Sequence, residues 1–554
     1  MNMNLKNLFP SEDGNTENRN VMLGLVEQLL TGLDQQKNPN TAILGEEKEK
    51  NELFYTEIIN SINIPQNGIP TEKMVEELLD LSQGHPFANR NYLANAIPLS
   101  SIPGLLGQLT MALLNSNSIW DVYGPAATEA EVKVTAMLSK LIGYNPEKSL
   151  GYTTWGGQGA VFNSLRLAIA KKFPNSNKEG VPNNLYCFAS ELAHYSTLKS
   201  IEATGIGSDH LIRIKANKDN SMDINDLRHQ LQKVIKNGGI PIFVVATTGT
   251  TDSFGIDDVS TVKEACVEVE KEHGLSSIHI HADSAMGGMF SFFNNYDFQS
   301  NPLKFEKDVL SEIHNISNKM RNLHFADTVC FDFHKLGQTP YITSFYLAKN
   351  AEDFKYLDLE SDETPYIGHR GFGNYHTGYT LECSRSGSSI PIYSALQTFG
   401  IEGYQLLLGH FVRCNLEFRK ELLGVFENVG ITNEQNGGPI ITFRFYEKYN
   451  LWKDELNGQL TSQEIEKINH LNSGFTDYLG QYRHDVFFGD TTKQCYVNVR
   501  NTDERLPISV IKAFFISPHL EIEHIKNLVQ FLKDKWDEYM ELQKRNEEKV
   551  LMPV

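Results

Sequence analysis

The chain has 554 residues, which is enough for a large hydrophobic core and predicts two or three lobes. Its formal charge of -19 at pH 7 repels phosphate backbones and anionic lipids, and no dense Lys/Arg cluster reverses this locally, so nucleic acid and membrane surfaces are excluded as partners. The six cysteines are widely spaced without a CxxC pair, and no segment has the roughly 20 apolar residues of a membrane span, so we expect a cytoplasmic protein without structural zinc.

The first 125 residues predict a helical segment. After a polar arm of about 20 residues, apolar side chains recur at helical spacing up to about residue 80, for example at Leu25, Leu29, Val75 and Leu79. Residues 105–114 form another apolar stretch of this kind. We therefore treat residues 1–125 as an N-terminal helical segment.

Beyond residue 125 the pattern predicts an α/β domain followed by a smaller one. Residues 129–142 form an amphipathic helix, and then β-rich runs, LYCFAS, IPIFVVATTGT, SIHIHADSA and TVCFDFH, alternate with longer helical segments. This alternation is typical of βαβ units, so we expect a mainly parallel sheet within residues 126–400. In residues 401–554, helices at 403–423 and 521–542 mix with the strand-like ITFRFY and QCYVNVR, which predicts a smaller α+β domain.

A lysine follows one of the β-rich runs directly, in FDFHKLGQTPY. Lys335 is fixed in position by the end of this strand, and if it is partly desolvated its free amine can form an imine with an aldehyde cofactor. On its own, a lysine at such a place is more often an ordinary surface residue.

A carboxylate ends a second strand-like run, in HIHADSAMGG. Asp283 suits the ring nitrogen of pyridoxal phosphate, because a buried carboxylate keeps that nitrogen protonated and the ring able to accept electrons. Period-two geometry also places His279, His281 and Asp283 on one strand face, which is a possible metal site, although no further His/Asp set completes it. Buried polar residues at a sheet end remain a plainer alternative.

Three further segments carry groups that suit a phosphorylated aromatic cofactor. The turn TTWGGQGA, with Gly156, Gly157 and Gly159, begins a helix and can hold a phosphate on its backbone N–H groups. His194 in ELAHYSTLKS can stack on a cofactor ring, and the Thr cluster of VVATTGTTDSFGIDD, which includes Thr251, can reach the cofactor. Each segment alone is typical of an ordinary loop. Their order within one α/β region indicates a site.

With these segments the chain resembles the group II pyridoxal-phosphate decarboxylases, which include glutamate, aromatic amino acid and tyrosine decarboxylases. The resemblance covers about residues 85–518 and is carried by GPAATEAEVKVTAMLSKLIGY, TTWGGQGA, HYSTLKS, TTGTTDSFGIDD, HADSAMGG, DFHKLGQTPY and CSRSGSSIPIYSAL. DFHK together with HADSAMGG is the most diagnostic pair. The insert FFNNYDFQSNPLKFEKDVLSEI and the segment HKLGQTPY look closest to bacterial tyrosine decarboxylases.

The resemblance implies the fold type I of pyridoxal-phosphate-dependent transferases, in which a mainly parallel seven-stranded sheet is flanked by helices. It also implies a homodimer with the active site at the subunit interface, in which the N-terminal helices wrap around the partner. Carried over residue by residue, it assigns cofactor contacts to one set of positions: Lys335 as the Schiff-base lysine, His334 beside it, Asp283 at the pyridine nitrogen, His194 and Ala285 on the two ring faces, Thr251 near the cofactor, and the Gly157-Gln158 backbone in the phosphate cup.

Some positions depart from the family pattern. Gln158 stands where the family usually has Ser or Thr, and Gly159 where it has Glu, so phosphate binding is expected to depend more on backbone donors. Ala-Asp-Ser-Ala replaces the usual Val-Asp-Ala-Ala. Near the C-terminus, IKAFFISP replaces an Arg-containing segment, which bears on the substrate pocket.

The expected reaction is the decarboxylation of an L-amino acid to the amine and CO2, with an aromatic substrate favoured over an acidic one. Tyr341 and Tyr366 are the candidates for the acid that protonates the α-carbon, with Tyr366 slightly favoured because it lies in the Gly-rich loop SDETPYIGHRGFGNYHTG. Simple packing is the alternative role for either tyrosine. The same fold could instead support an aldehyde-forming oxidative decarboxylation or a carbon-carbon lyase reaction, and a non-catalytic or metal-dependent protein is a more distant alternative.

Overall fold

The structure is a computed structural model that describes residues 5–359, 363, 375, 378–448 and 451–551. The chain forms two compact units, Met1–Leu93 with Asp477–Phe488, and Ala94–Thr476 with Gly489–Val554. Among the described residues, none of the helices is both long and apolar enough to serve as a membrane span.

The α-helices of the described residues are numbered in chain order: α1 Thr16–Gln36, α2 Phe54–Ser61, α3 Thr71–Leu81, α4 Ile102–Leu114, α5 Pro125–Ile142, α6 Gly157–Lys172, α7 Ser176–Glu179, α8 Ser196–Ala203, α9 Ile224–Lys236, α10 Val259–His273, α11 Lys307–Met320, α12 Ser389–Val425, α13 Leu451–Leu456, α14 Ser462–Gly480 and α15 Ile522–Leu551. Short 3-10 helices cover Leu5–Leu8, Ser208–His210, Gly288–Phe293, Arg321–Phe325 and Ala351–Tyr356.

The β-strands are β1 Tyr92–Leu93, β2 Leu150–Thr154, β3 Leu185–Ser190, β4 Leu211–Ile214, β5 Ile240–Thr247, β6 His279–Asp283, β7 Thr328–Asp332, β8 Ser344–Ala348, β9 Val429–Ile431, β10 Ile440–Phe445, β11 Phe487–Thr491, β12 Tyr496–Asn498, β13 Arg505–Pro507 and β14 Val510–Phe514.

In the smaller unit, α1 begins earlier than the sequence predicted. The side chain of Asn15 accepts the backbone N–H groups of Glu17 and Asn18, so that the helix starts at the end of the expected polar arm. α1 packs on α3, and Gln36 at its end donates to the carbonyl of Leu79 at 2.9 Å. β1 pairs in parallel with the first two residues of β11.

The larger unit contains the predicted sheet. In the described part of the chain this sheet has seven strands in the order β2-β8-β7-β6-β5-β3-β4. The strands β4, β3, β5, β6 and β7 are parallel to one another, and β8 runs antiparallel to both β2 and β7. Seven of the eight residues of β5 are buried, as expected for a sheet covered on both faces. The predicted fold class is confirmed.

The C-terminal part of the larger unit contains a second sheet, in which β14 runs antiparallel to β10 and β11, and β9 antiparallel to β10. α12 and α15 pack against each other. α12 includes the helix that the sequence placed at residues 403–423, but it starts at Ser389 and is interrupted at Gly400, whose φ of 60° and ψ of -165° are non-helical.

The topology of the main sheet brings the predicted site residues to one edge. β2, β3, β5, β6 and β7 all run in the same direction, because β8 is antiparallel to both of its neighbours. The segments that follow these strands therefore leave the sheet at its carboxyl edge, where α/β proteins bind their ligands.

Candidate active site

Lys335 lies in the tight turn that follows β7. Its backbone N–H donates to the carbonyl of Asp332 at 3.1 Å, and its Nζ lies 3.0 Å from Oδ2 of the same residue. Gly337 is required in this turn, since a Cβ there would lie 2.6 Å from the carbonyl oxygen of Phe333. The Lys335 side chain is 21% exposed, so its amine remains accessible to a ligand.

Asp332 is a buried carboxylate that holds Lys335. Its Oδ1 accepts the hydroxyl of Ser344, and its Oδ2 also lies 3.6 Å from Nε2 of His334. Burial opposes the charged form, yet the charges of Lys335 and His334 and the Ser344 hydrogen bond keep the pKa of Asp332 below its usual value.

The protonation of Lys335 differs from the expectation. Burial favours the free amine, but the charges of Asp332 and Asp283 outweigh burial and raise the pKa of Lys335. Desolvation alone therefore does not release the free amine.

Asp283 ends β6 and is almost fully buried. The Ala285 backbone N–H and the Cys330 thiol both donate to its Oδ1, each at 3.3 Å. Burial and the charge of Asp283 hold the pKa of the Cys330 thiol well above its usual value, so this thiol stays protonated and remains a donor. Both hydrogen bonds are made to Oδ1, so Oδ2 is the oxygen that could accept a proton from a ring nitrogen.

His194 lies close enough to Asp283 and Lys335 for their charges to act on it. Its Nδ1 accepts the backbone N–H of Ser196 at 3.2 Å, and its ring lies 4.1 Å from the ring of Tyr195. Burial lowers the pKa of His194, while the charge of Asp283 acts in the opposite direction and that of Lys335 lowers it further. A neutral imidazole suits stacking on an aromatic ring.

The start of α6 packs against Asp332 and Ala285. Gly156 has a φ of +112°, which L side chains rarely adopt, and a Cβ on Gly157 would lie 3.1 and 3.3 Å from the two carboxylate oxygens of Asp332 and 3.4 Å from Cβ of Ala285. The Gln158 side chain donates to the hydroxyl of Ser200 at 2.9 Å. The Gln158 side chain is therefore engaged elsewhere, and the backbone N–H groups of the first helical turn are the donors that could hold a phosphate here.

Three further residues were predicted to belong to the site, Tyr341, Thr251 and Tyr366. The ring of Tyr341 lies 4.1 Å from that of His334, its hydroxyl donates to the carbonyl of Ala96 at 3.5 Å, and burial raises its pKa. Thr251 is half-buried in the loop after β5. Tyr366 lies outside the described residues.

Comparison with known proteins identifies the family. Residues 80–445, more than half of the chain, match the family model described as the pyridoxal-dependent decarboxylase conserved domain. The chain belongs to this family. The cofactor of this decarboxylase-family protein is pyridoxal 5'-phosphate. The residues at the carboxyl edge fit it, because the charges of Asp283 and Asp332 act on the Lys335 amine and the glycine-rich start of α6 packs against Asp332.

Individual relatives are distant. The chain is 27% identical to a glutamate decarboxylase-like protein of Gibberella zeae over 53% of this chain and 52% of that protein, so it spans about half the length of that relative. It is 24% identical to an aspartate 1-decarboxylase of Aliivibrio fischeri over 92% of this chain and 90% of the relative. The crystal structure of Oryza sativa TDC with PLP and tryptamine matches with a TM-score of 0.74 at 15% identity, covering 96% of this chain and 100% of that one.

Three charged residues near this site, Lys512, Asp252 and Asp332, were missed by the sequence analysis. Lys512 on β14 lies 2.7 Å from Asp252, which follows β5, and the charge of Asp252 acts on His194. Lys512 belongs to the IKAFFISP segment, in which only the lack of an arginine was noted. The Asp332 carboxylate stands within the DFHK motif itself, three residues before Lys335, and this spacing was a signal that could have identified it.

The alternative metal site involves residues deeper in the sheet. The Thr328 hydroxyl lies 3.1 Å from Nε2 of His279 and 2.9 Å from Nδ1 of His281. Burial lowers the pKa of these imidazoles to about 4 and about 3. Within the described ranges, no group of three His, Cys, Asp or Glu side chains has a geometry that could hold a metal ion.

Proposed function

We propose that this protein decarboxylates an L-amino acid to the corresponding amine and CO2, and that it prefers an aromatic substrate to an acidic one. The observation that carries the proposal is the proximity of Lys335 and Asp283 at the carboxyl ends of the adjacent strands β7 and β6, where the charge of Asp283 acts on the lysine amine. A screen of the common amino acids for CO2 and amine production tests it, with Lys335→Ala as the inactive control. Absence of CO2 release from every amino acid would contradict it.

Each residue of the cavity receives a role in this proposal. Lys335 binds the cofactor through its amine with His334 at its side, and Oδ2 of Asp283 holds the proton of the ring nitrogen. The remaining contacts are His194 and Ala285 on the two ring faces, Thr251 near the cofactor, and the Gly157 and Gln158 backbone N–H groups at the phosphate. The bound cofactor supplies the electron sink for the pair released when CO2 leaves.

Protonation of the α-carbon decides between an amine and an aldehyde product. Tyr341 is protonated at neutral pH because burial raises its pKa, so its hydroxyl is available as the acid, and Tyr366 is the second candidate. We expect Phe at the responsible position to retain CO2 release but to give aldehyde or transaminated products, which mass spectrometry of the products distinguishes. Unchanged amine formation by both Phe variants would contradict both assignments.

The charges around the cavity support the substrate preference. Lys512, the basic side chain that approaches from β14, is already neutralised by Asp252 at 2.7 Å. Two further carboxylates, Asp283 and Asp332, face the single charge of Lys335, so an acidic side chain would enter a region with a surplus of negative charge.

Substitution of Asp252 tests this preference for aromatic over acidic substrates. Asp252→Asn frees Lys512 and should raise kcat/KM for acidic amino acids relative to aromatic ones, whereas Asp503→Asn, at an exposed position, should leave the ratio unchanged. Wild-type protein that releases CO2 faster from glutamate or aspartate than from any aromatic amino acid would contradict the preference.

The exposed face of α4 supports a homodimer with the active site at its interface. This helix exposes a set of large apolar side chains, Ile102, Leu105, Leu106, Leu109, Leu113 and Leu114. A Cβ on Gly104 would lie 3.0 Å from Pro340, so the apolar face borders the turn that carries Lys335. An apolar patch of this size on a soluble protein marks an interaction surface.

The double variant L105E/L109E should therefore give monomers in size-exclusion chromatography with light scattering and should lose activity. Leu423→Glu, an equally exposed leucine on α12, is the matched control. An unchanged molecular mass of the double variant would contradict the proposed interface. We place the protein in the cytoplasm, in agreement with its six free cysteines.

A further inference from the structure

Asp332 touches both the lysine and the predicted phosphate cup. Its side chain is 3% exposed, and its Oδ2 lies 3.0 Å from Nζ of Lys335. On its other side is the start of α6, where a Cβ on Gly157 would lie 3.1 and 3.3 Å from its two oxygens. One buried carboxylate therefore lies between the nucleophilic amine and the place where the cofactor phosphate binds.

This position creates an electrostatic conflict when a phosphate monoester enters the cup. Two anions that share a buried site cannot both keep their full charge, because neither is screened by water, and the usual result is that one of them takes up a proton. The α6 N-terminus favours a bound anion, but it stabilises the phosphate and the carboxylate alike. A proton supplied to Asp332 removes the conflict.

The neighbours of Asp332 identify the source of that proton. Lys335 and His334 lie on its own turn and Ser344 on β8, while the charge of Asp332 also acts on Cys330 and on His194. Burial lowers the pKa of His334, which disfavours its charged form. Asp283, His194 and Tyr341 face the lysine side of the cavity. Lys335 is the neighbour that carries a transferable proton.

We propose that Asp332 accepts a proton from Lys335 when the phosphate group of the cofactor enters the cup, so that phosphate binding itself releases the nucleophilic amine. One N–H bond of the ammonium group breaks and one O–H bond forms on Oδ2 of Asp332, so the pair stays neutral overall. The carboxylic acid donates its proton in a hydrogen bond to the phosphate, and the lone pair on Nζ becomes free to add to the aldehyde. This inference rests on the proposed role of Lys335.

The experiment supplies the aldehyde and the phosphate as two separate molecules, so that the effect of phosphate on imine formation can be measured by itself. Apoenzyme is mixed at pH 7 with pyridoxal, which has the aldehyde but lacks the phosphate, and imine formation is followed by visible absorption with and without inorganic phosphate. In wild type, phosphate should accelerate the reaction about tenfold or more, since one unit of pKa changes the free-amine fraction tenfold. In Asp332→Asn the amine is already released, so the reaction should be fast without phosphate and insensitive to it.

The control variant is Asp353→Asn, which breaks a Lys-Asp pair of 2.6 Å with Lys171 outside the site and should behave like wild type. Equal acceleration by phosphate in wild type and Asp332→Asn would overturn the proposal, and so would the absence of acceleration in wild type. If no imine forms, or if it forms equally in Lys335→Ala, the proposed role of Lys335 fails as well. An imine on Lys335 that ignores phosphate overturns only the role of Asp332.

A second measurement does not depend on imine formation. In Lys335→Met the internal proton source is gone, so Asp332 must take its proton from solvent when inorganic phosphate binds. Calorimetry of phosphate binding at pH 8 in buffers of different ionisation enthalpy should give about one more proton taken up by Lys335→Met than by the double variant D332N/K335M. Equal proton uptake by these two variants would overturn the proposal.

Discussion

Glu131 and Arg385 form a fully buried ion pair, and we expect Glu131→Gln to destabilise the protein strongly. Nη1 of Arg385 donates to Oε1 of Glu131 at 3.1 Å, and Nη2 donates to Oε2. Glu131 also accepts the hydroxyl of Tyr375 at 3.0 Å and the backbone N–H of Thr153 at 2.9 Å. The substitution keeps the shape of the side chain but leaves the guanidinium charge buried without its counter-charge.

Removing one partner of a buried pair costs about 3–5 kcal/mol, because the remaining charge stays desolvated. Glu131 is 0% and Arg385 2% exposed, so solvent screening does not reduce this value. A loss of about 3 kcal/mol in the free energy of unfolding lowers the folding equilibrium constant more than about a hundredfold. Urea unfolding followed by circular dichroism at fixed protein concentration measures the loss.

α5 offers a matched control. Glu129 pairs with Lys133 on the exposed face of the same helix, and Glu129→Gln should leave the unfolding midpoint nearly unchanged. The double variant E131L/R385M should recover most of the loss of Glu131→Gln, since it removes both charges together. Equal midpoints for Glu131→Gln and Glu129→Gln would refute the reasoning.

Three other predictions follow from the buried groups and the helix start. Burial lowers the pKa values of His279 and His281 to about 4 and about 3. As the pH falls from about 6.5 toward these values, each ring should therefore reduce the free energy of unfolding by about 1.4 kcal/mol per pH unit. The free energy of unfolding of His281→Asn should depend less steeply on pH. Gly157→Ala places a methyl group about 3.1 Å from a carboxylate oxygen and should weaken cofactor binding about tenfold in an absorbance titration, whereas Gly424→Ala, with no atom within 4 Å, should bind normally. Asp283→Asn should retain the fold but reduce the rate of CO2 release about 10²-fold, and a near-normal rate would remove Asp283 from the site.

The sequence predicted the main sheet and the strand-end residues because both depend on local pattern. Continuous apolar runs such as IPIFVVAT predict buried parallel strands, and the polar residue that ends a run marks the carboxyl edge. Lys335 and Asp283 were selected in this way, whereas His194 was selected because it precedes a helical stretch. The family motifs added the cofactor, since no single segment identifies it.

The contacts that tune the site could not be predicted, because they join residues that are distant in the chain. Glu131 and Arg385 are 254 positions apart, and Asp252 and Lys512 are 260 positions apart. The protonation of Lys335 is a similar case. The strand end indicated that its amine is partly buried, but its pKa depends on how closely the carboxylates of Asp332 and Asp283 approach the amine. The earlier start of α12 was missed because Gly400 interrupts the helical pattern.

Chemical trapping of the cofactor tests the central claim most directly. Purified protein loaded with pyridoxal 5'-phosphate is reduced with borohydride, digested, and analysed by mass spectrometry for the peptide that carries the pyridoxyl group. We predict a stoichiometric adduct on Lys335, in the peptide that contains FDFHKLGQTPY, and loss of this adduct and of the visible absorption band in Lys335→Ala. An adduct on a different lysine, or an unchanged absorption band in Lys335→Ala, would contradict the account.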